Sequence, residues 1–337
     1  MIDISTQYMG IELKNPVIAG ACSLTSDMET IKQIEKAGAG ALVTKSLFEE
    51  QIQLERFKMD EDREKYSYRN AEMITIFPEL EHAGPKEHLY WVEKTKKTIS
   101  IPVIASLNAV HEDTWIEYAQ LLEETGVDGL ELNFYAFPRK FDRDPQSIEK
   151  EQISILKKIK EKINIPISVK LSYFYTNILN FISQIDEVGV NGLVLFNRLF
   201  QPDIDIYKQK NIFPFNLSER ADNRLPLRYT GILSENVKAD ICSSTGITEG
   251  EDIVKMILAG AELVQVVSVL YKNGIDYISE MLKNLQFWME QKKHTSLNDF
   301  RGKMNKKNSD DPWIYTRTQY VKLLMNPEDL LDNYPVP

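Results

Sequence analysis

The segment TGVDGLELNF (residues 125–134) belongs to a pattern that repeats along the chain and decides the fold. In this pattern a helix-forming stretch ends at Gly, one or two small or polar residues follow, and a short β-rich run closes on a polar residue. Gly is favoured after a helix because it adopts left-handed backbone, and the run that follows has the length of a strand. The same pattern occurs at AGAGALVTKS (37–46), VGVNGLVLFN (188–197) and AGAELVQVVS (259–268).

Four further stretches qualify as strands and bring the candidates to eight. Two enter through Ile-Pro, SIPVIASLN (100–108) and NIPISVKLS (164–172), where proline is tolerated because the first residue of a strand needs no ladder donor. The other two are NPVIAGA (15–21) and KADICSST (238–245). Helix-period stretches lie between most of the strands, at 27–36, 114–124, 147–163, 177–187, 249–258 and 275–291.

This alternation predicts an α/β fold, a (β/α)8 TIM barrel with long insertions after strands 2 and 6. Strand–helix alternation implies a parallel sheet, and eight units close naturally into a barrel. The near-continuous apolar strands agree, since parallel strands are covered on both faces. A doubly wound open sheet is the alternative, but no Gly-x-Gly-x-x-Gly follows the first strand.

Two connections are longer than the repeat requires. Residues 47–100 follow the second strand, and residues 198–237 follow the sixth. Connections of this length in a compact domain are functional covers or carry small elements of their own, and the second is a candidate lid. We expect residues 1–290 to form the barrel, and residues 291–337 to form a C-terminal tail that packs on the barrel or on a partner subunit.

The 337-residue chain is acidic, with a formal net charge of −10 and a pI of about 5.1. This charge disfavours a nucleic-acid partner, which needs a basic surface to meet phosphates. Residues 1–10 lack the basic start and apolar core of a signal peptide, and no apolar run approaches the ~18 residues of a membrane span. Cys22 and Cys242 make neither a disulfide framework nor a zinc-ligand pattern. We therefore expect a cytoplasmic protein without nucleic-acid, membrane or metal partners.

The last one or two positions of each strand candidate lie at the face where barrels bind their ligands, and most of these positions are polar. They are Ala21-Cys22, Lys45-Ser46, Ser106, Asn133, Lys170, Asn197, Thr245-Gly246 and Ser268. A buried lysine without a partner is costly, so these groups meet a polar ligand or one another. The alternative is an ion-pair network between Glu131 and the lysines that only fills the barrel, although one carboxylate cannot neutralise two lysines.

The ends of the last two strands predict a phosphate site. SSTGITEGE (243–251) places small residues, free amides and a helix start after strand seven, and Val267-Ser268 ends strand eight. Such loops bind phosphate through backbone N–H groups and a helix N-terminus, although a capping-rich turn is the alternative. With lysine and asparagine at the barrel mouth, this favours a phosphorylated planar cofactor such as FMN, because a lysine beside the N1/C2=O edge stabilises the reduced ring.

Short motifs recur at the strand ends: VTKS (43–46), ELN (131–133), SVKL (168–171), FN (196–197), TGI (245–247) and the strand ending at Ser268. From NPVIAGA to about residue 290 the chain resembles the dihydroorotate dehydrogenase family of FMN-containing β/α barrels. ELNFY, GLVLFNR, QPDID and LPLR are similar to its dihydroorotate dehydrogenase-like branch. The resemblance implies an FMN-binding barrel over residues 1–290 and a place in pyrimidine metabolism, and we expect a homodimer.

The resemblance also implies which residues bind the cofactor. The residues at the flavin are Ala21 beneath the ring, Lys45, Ser46, Ser106, Asn133, Lys170, Asn197 and the backbone of Phe196. The phosphate contacts are Thr245, Gly246 and Ser268. Of the ring contacts, Asn133 and Lys170 are expected to hydrogen-bond the edge of the flavin.

The substrate half of the site departs from the family pattern. Ala136 stands where the soluble class carries its catalytic cysteine, and Pro138 stands where an asparagine would hold the substrate. The substrate loop, expected within residues 66–90, contains MITIFPELEHAGP and no Gly-Leu-Pro-Asn run. We therefore expect the cofactor half of the site to be kept and the substrate half to be rewritten.

The oxidation of dihydroorotate that the resemblance implies needs a residue that takes a proton from the substrate, and alanine cannot do this. A correctly placed acid or base is worth ~10²–10⁴ in rate. Tyr135, Ser172 and Cys22 are the candidate catalytic residues, each with plain packing or hydrogen bonding at the barrel rim as the alternative. His111, after the third strand, is a further candidate for which we favour a role as a helix-start residue on the surface.

The predicted function is an FMN-dependent oxidoreductase acting on a CH–CH bond of a small ring substrate. One alternative is an FMN-binding barrel that has lost dihydroorotate oxidation and acts as a binding or partner protein. Another is a phosphate-binding barrel enzyme without flavin, which would use Lys170 or Lys45 as a Schiff base.

Overall fold

Eight parallel strands close into a barrel in the computed structural model, which describes residues 2–49, 85–134, 141–198, 202–212, 217–317, 321 and 324–325. Up to the sixth barrel strand, the strands are β1 (Thr6–Tyr8), β2 (Ile11–Leu13), β3 (Val17–Ala19), β4 (Ala41–Val43), β5 (Leu47–Phe48), β6 (Val103–Asn108), β7 (Gly129–Phe134), β8 (Ile167–Leu171) and β9 (Gly192–Leu195). The remaining strands are β10 (Asp203–Asp205), β11 (Lys210–Ile212), β12 (Asp240–Ser244) and β13 (Leu263–Val266).

Around the barrel the strand order is β3, β4, β6, β7, β8, β9, β12, β13 and back to β3, and these pairs are parallel. Each of the eight predicted strand segments contains one barrel strand, so the predicted TIM barrel is confirmed. A doubly wound open sheet is excluded, because its strand order reverses at a switch point, whereas this strand order runs once around and closes on itself. The short strand β5 pairs only with the C-terminal end of β6.

Helices surround the barrel. They are α1 (Met28–Lys36), α2 (Pro85–Thr98), α3 (Glu112–Glu124), α4 (Pro145–Lys160), α5 (Ile178–Val188), α6 (Arg224–Leu233), α7 (Gly250–Ala259), α8 (Ser268–Asn273) and α9 (Tyr277–Lys292). Short 3-10 turns lie at Ser23–Ser26, Arg220–Asn223, Leu297–Asp299 and Pro312–Tyr315.

Capping residues explain several helix boundaries. The Asp27 and Asp144 carboxylates each accept a hydrogen bond from the backbone N–H three residues on, which satisfies a donor that the first turn leaves unpaired. Gly189 and Gly260 end α5 and α7 with φ of +88° and +110°, a conformation that is strained for residues with a Cβ. The glycines of the repeated pattern therefore end the helix before each strand, as the sequence predicts.

The two long connections carry barrel helices that sequence reasoning missed. Helix α2 lies within residues 47–100, and α6 lies within residues 198–237, so the extra chain is shorter than predicted. The segment of α2 is rich in lysine and glutamate, which weakens its apolar period. Pro226 stands in the first turn of α6, where a helix needs no backbone donor, so the proline does not interrupt this helix.

The N-terminal end of the barrel is closed by the β1–β2 hairpin and by residues after α9. Tyr8 and Leu13 of the hairpin pack against apolar residues that point into the barrel. Further along, the backbone N–H of Gly302 donates to Ile257 O (2.9 Å), and that of Lys306 donates to Gly231 O (2.8 Å). Residues 295–317 thus lie against the C-terminal ends of α6 and α7, and the domain boundary at residue 290 stays a prediction.

The interior of the barrel changes character along its axis. Its lower layers are apolar and include Ile18, Val43, Ile104, Val194 and Leu263. Its upper layer is polar and contains Glu131, Lys170 and Gln265, all buried. The outer apolar layer, between strands and helices, forms one continuous core.

Among the described residues, no helix is both long and apolar enough to cross a membrane. The same residues contain no group of three or more His, Cys, Asp or Glu side chains that could hold a metal ion.

Candidate active site

A cavity of about 1120 Å³ opens at the C-terminal ends of the barrel strands. Ligand pockets typically span roughly 300–1,000 Å³, so this cavity can hold more than a small substrate. Eleven residues proposed from the sequence line it: Ala21, Cys22, Lys45, Ser46, Asn133, Lys170, Phe196, Asn197, Thr245, Gly246 and Ser268. The closed barrel brings these strand ends into one site.

Other proposed residues lie elsewhere. Ser106 stands behind Ser46, with the two hydroxyl oxygens 2.7 Å apart, and Ser172 is buried beyond the end of β8 without lining the cavity. Tyr135, together with Ala136 and Pro138, lies outside the described residues, as do residues 66–84 of the expected substrate loop.

Two buried side chains, Lys170 and Gln265, line the cavity floor, and both lie next to the buried Glu131. Lys170 Nζ donates to Gln265 Oε1 at 2.6 Å, and Gln265 Nε2 donates to Glu131 Oε2 at 2.7 Å. The other carboxylate oxygen, Glu131 Oε1, lies 3.6 Å from Lys170 Nζ. Of the alternative Glu131–lysine network, the described part of the chain contains the Glu131–Lys170 contact alone. Sequence reasoning missed Gln265, whose signal was a single polar residue inside the apolar run LVQVV.

Two asparagines form a paired amide on the cavity wall. Asn197 Nδ2 donates to Asn133 Oδ1 at 3.0 Å. In the same region, the Asn197 backbone N–H donates to Leu171 O at 2.7 Å. The pairing fixes both amide planes, so the Asn133 NH₂ and the Asn197 carbonyl oxygen are the groups that can meet a ligand.

The loops after β12 and β13 are joined by Ser218, which precedes α6. The Gly246 N–H donates to Ser218 Oγ (3.2 Å), and the Ser218 N–H donates to Ser268 Oγ (2.9 Å). Lys272 Nζ donates to the Ser218 carbonyl oxygen at 3.0 Å. Lys272 Nζ also donates to Glu219 Oε1 at 2.6 Å, and Lys272 does not line the cavity. The groups at the cavity surface that suit a phosphate are the hydroxyls of Ser218 and Ser268 together with the loop backbone. Sequence reasoning missed Ser218 because it does not stand at a strand end.

Asp252 holds the loop after β12 in place. Its buried carboxylate accepts hydrogen bonds from the N–H groups of Thr248 and Glu249 and from the Asn223 and Lys255 side chains. Burial raises the pKa of Asp252, but the hydrogen bonds of Lys255 and Thr248 outweigh it and hold the pKa below its usual value. A charged acceptor with several donors therefore ties the loop to both α7 and the segment before α6.

Cys22 stands on the cavity wall, close to Ser23 and Tyr271. Ser23 Oγ lies 2.6 Å from the Tyr271 hydroxyl, which also accepts from the Ser23 N–H at 3.1 Å. Burial raises the pKa of the Cys22 thiol. The neutral thiol is thereby favoured, whereas a reactive or basic cysteine needs a lowered pKa.

A histidine and a glutamate form a second polar pair on the wall. His111 precedes the first residue of α3, as expected, and its Nδ1 is paired with the buried Glu49 carboxylate. Glu49 also accepts from the His111 N–H at 2.8 Å. Burial raises the pKa of Glu49, but the hydrogen bonds of His111 and Val110 outweigh it and lower the pKa. The histidine thus lines the cavity in addition to starting the helix.

The closed barrel, with a cavity at the C-terminal ends of its strands, defines a TIM-barrel enzyme with its site at that face. Residues 3–289 match the family model described as dihydroorotate dehydrogenase. Because this match covers most of the chain, the protein belongs to the dihydroorotate dehydrogenase family, a family of oxidoreductases. The family resemblance seen in the sequence is confirmed.

Relatives of known description agree with this assignment. A protein of Thermoplasma volcanium named dihydroorotate dehydrogenase B (NAD(+)), catalytic subunit, is 28% identical over 320 residues, 90% of this chain and 98% of the relative. A Methanocaldococcus jannaschii protein of the same name is 26% identical, over 87% of this chain and 95% of the relative. A putative dihydroorotate dehydrogenase A (fumarate) of Aeropyrum pernix is also 26% identical, over 89% of this chain and 97% of the relative.

Proposed function

We propose that this protein is an FMN-dependent oxidoreductase that acts on the CH–CH bond of a small ring substrate. The observation that carries this assignment is the position of Lys170 on the cavity floor, beside Asn133 in the strand register, whose amide is paired with that of Asn197. A buried lysine beside amide donors suits the hydrogen-bonding edge of a planar ring that gains negative charge on reduction.

The residues present fit FMN at both ends of the cavity. For the ring, Lys170 supplies a cation, and the paired amides of Asn133 and Asn197 supply a hydrogen-bond donor and an acceptor. The loops joined by Ser218 supply the hydroxyls of Ser218 and Ser268 and the loop backbone at the cavity surface for a phosphate. The cavity volume of about 1120 Å³ also leaves room for a substrate beside the cofactor.

Bound FMN would supply the hydride acceptor or donor, and the residues of the chain would do the rest. Lys170 and Lys45 place positive charge at the cavity wall, and Asn133 with Asn197 orients the ring edge. The barrel strands that carry these side chains are rigid, which keeps the groups in place without reorganisation during the reaction.

The proton that leaves or joins the substrate needs another group, because Ala136 cannot exchange it. Of the three candidates, Cys22 lines the cavity, Ser172 lies behind its wall, and Tyr135 stays a prediction. The relatives are named for dihydroorotate. We propose for this chain a ring related to dihydroorotate, with the proton handled by a different residue from the one at position 136.

The second candidate function is an FMN-binding barrel that has lost dihydroorotate oxidation and serves as a binding or partner protein. The alanine at position 136 favours it, because the acid–base group of the family pattern is then missing while Lys45, Asn133 and Asn197 remain. Both functions require FMN, and only the first requires hydride transfer.

Flavin content and anaerobic reduction separate these possibilities. We expect the purified protein to be yellow, or to take up FMN on titration, and to lose its flavin absorbance when mixed anaerobically with dihydroorotate or another dihydropyrimidine. A protein that takes up no FMN would exclude both functions. A yellow protein that no dihydropyrimidine bleaches, and whose reduced form no unsaturated pyrimidine reoxidises, would favour the binding protein.

We also propose a homodimer in the cytoplasm, without a nucleic-acid or membrane partner. The β10–β11 hairpin exposes apolar side chains, among them Ile204 (62%), Ile206 (71%) and Tyr207 (93%). Exposed apolar side chains gathered on one element mark an interaction surface. A second copy of this chain is the partner that fits the dimer expected from the sequence.

A further inference from the structure

The cavity floor is arranged so that an uncharged amide, and not the carboxylate, holds the lysine. The ammonium of Lys170 donates to Gln265 Oε1 at 2.6 Å, whereas the nearest oxygen of Glu131 stays 3.6 Å away. All three side chains are buried, with exposed fractions of 1% for Glu131, 2% for Gln265 and 7% for Lys170. The Lys170 ammonium and the Glu131 carboxylate are therefore close enough to interact, but they are not at hydrogen-bond distance.

The geometry explains how the amide keeps the charges apart. Gln265 comes from β13, and its side chain reaches across the barrel interior to Glu131 on β7 and Lys170 on β8. Its Nε2 donates to Glu131 Oε2 at 2.7 Å, so its carbonyl oxygen can only point to the lysine. Each end of the amide has one partner, and this fixes its orientation.

The carboxylate retains an unused acceptor. Glu131 Oε1 is buried and has no hydrogen-bond partner among the described residues. In a low-dielectric interior, an unpaired charged oxygen strongly attracts a neighbouring ammonium. Lys170 would close onto this oxygen if Gln265 did not hold it.

We propose that Gln265 is a positioning residue that keeps Lys170 from collapsing onto Glu131 and so holds the ammonium toward the cofactor. This inference rests on the proposed FMN site. Positive charge beside the ring favours the reduced flavin, which carries more negative charge than the oxidised form. Gln265 thereby raises the affinity for reduced FMN relative to oxidised FMN, and with it the flavin potential.

The test is a set of substitutions read by flavin affinity and midpoint potential. In Gln265→Leu we expect Lys170 to pair directly with Glu131 and the ratio of affinities for reduced and oxidised FMN to fall about tenfold. For a two-electron couple, a tenfold change corresponds to a potential lower by about 30 mV. In Glu131→Gln, which keeps the amide and removes the competing charge, we expect the potential to rise.

The double variant Gln265→Leu/Glu131→Gln distinguishes positioning from packing. Without the carboxylate, nothing draws the lysine away from the cavity, so we expect the potential to return to the wild-type value or above it. A purely structural role for Gln265 would make the double variant at least as defective as the single one. Gln184→Leu is the control, since Gln184 also donates from Nε2 to a side-chain oxygen, that of Asn180 (2.7 Å), but lies on α5 away from the cavity, and it should leave the potential unchanged.

Each outcome is informative. A wild-type protein that takes up no FMN would overturn both the proposed function and this inference. If the wild type binds FMN but Gln265→Leu and the double variant both keep its potential, only the inference is overturned. Should Gln265→Leu fail to fold, as judged by circular dichroism, an unchanged potential in Glu131→Gln would overturn it in the same way.

Discussion

At the scale of single residues, the candidate site depends most on Lys170. The side chain is buried, hydrogen-bonded to one neutral group and aimed at the cavity. A lysine of this kind is costly to bury without a function. Its neighbours are uncharged amides and hydroxyls, with Glu131 below it, so its charge is available to a bound ligand.

Removing this charge should weaken cofactor binding. We expect Lys170→Met, which keeps the apolar stem, to raise the dissociation constant of FMN by about 10- to 100-fold, because hydrogen bonds to charged groups contribute about 1.5–3 kcal/mol. Titration of the apoprotein by flavin fluorescence measures this. Lys157→Met on the exposed face of α4 is the control, and equal FMN affinities in the two variants would remove Lys170 from the site.

Gly246 is a second single-residue determinant, because it combines left-handed backbone with a close contact. Its φ is +74°, and an added Cβ would lie 2.4 Å from the backbone nitrogen of Asn223. We expect Gly246→Ala to destabilise the fold by more than the ~1–3 kcal/mol of backbone strain alone. Gly126→Ala is the matched control, since Gly126 has φ +79° and open space around its Cβ position. Urea unfolding of both variants should show a larger loss for Gly246.

At the scale of elements, the site lies where barrel strands end in loops, and hydrogen bonds to other elements hold these loops in place. The loop after β12 is the clearest case, because Asp252 on α7 binds its backbone and also binds Asn223 and Arg220 before α6. Two segments that are distant in sequence are therefore joined by hydrogen bonds to one carboxylate. They border the proposed phosphate site.

Loss of this anchor should affect stability and cofactor binding together. We expect Asp252→Asn to lower the free energy of unfolding by about 2–3 kcal/mol, since several hydrogen bonds to a buried charge are weakened. Binding of FMN should weaken as well, because the Gly246 and Ser218 groups lose their support. Glu251→Gln, on the exposed side of the same turn, serves for comparison and should change neither quantity in chemical unfolding and flavin titration.

At the scale of the whole molecule, the N-terminal end of the barrel holds a buried acidic group that makes stability depend on pH. Glu262 precedes β13, and its Oε2 lies 2.7 Å from Nε of Arg301, which follows α9. Burial raises the pKa of Glu262 from its usual 4.5 to about 7, against the opposing effect of Arg301 and together with that of Asp240. The folded protein therefore binds a proton here that the unfolded chain releases.

The sign of the pH dependence follows from this difference. Between about pH 4.5 and about pH 7 the folded state binds more protons than the unfolded state, so the free energy of unfolding should fall as the pH rises through this window. Urea unfolding at a series of pH values measures the slope. Glu262→Gln should flatten the slope by this group's contribution, and an unchanged slope in that variant would contradict the assignment.

Assembly is the other property of the whole molecule that can be tested. If the exposed β10–β11 hairpin forms the proposed dimer contact, Tyr207→Asp should shift the protein toward a monomer in light scattering at micromolar concentration. A substitution of the same kind at Phe287, an exposed residue of α9 (62%), should leave the mass unchanged. A wild-type monomer at every concentration would exclude the dimer.

Local pattern predicted much of this protein. Eight strands, the helices between most of them and the glycines that end α5 and α7 follow from period and capping, which act over a few residues. Helix α2 was not predicted because its apolar period is weak, and α6 was not predicted because a proline stands in its first turn. Strand-end position also predicted ten residues of the cavity wall, since parallel strands end at one face, and the family resemblance added Phe196.

The sequence by itself determined the barrel, the family and the polar residues at the strand ends, because each depends on short-range pattern. Only the tertiary structure decided how these groups are paired. Gln265 and Lys170 are 95 positions apart, and Ser218 joins loops that follow different strands. Such contacts arise when the barrel closes and the loops fold over it. Local periodicity carries no information about which side chains then meet.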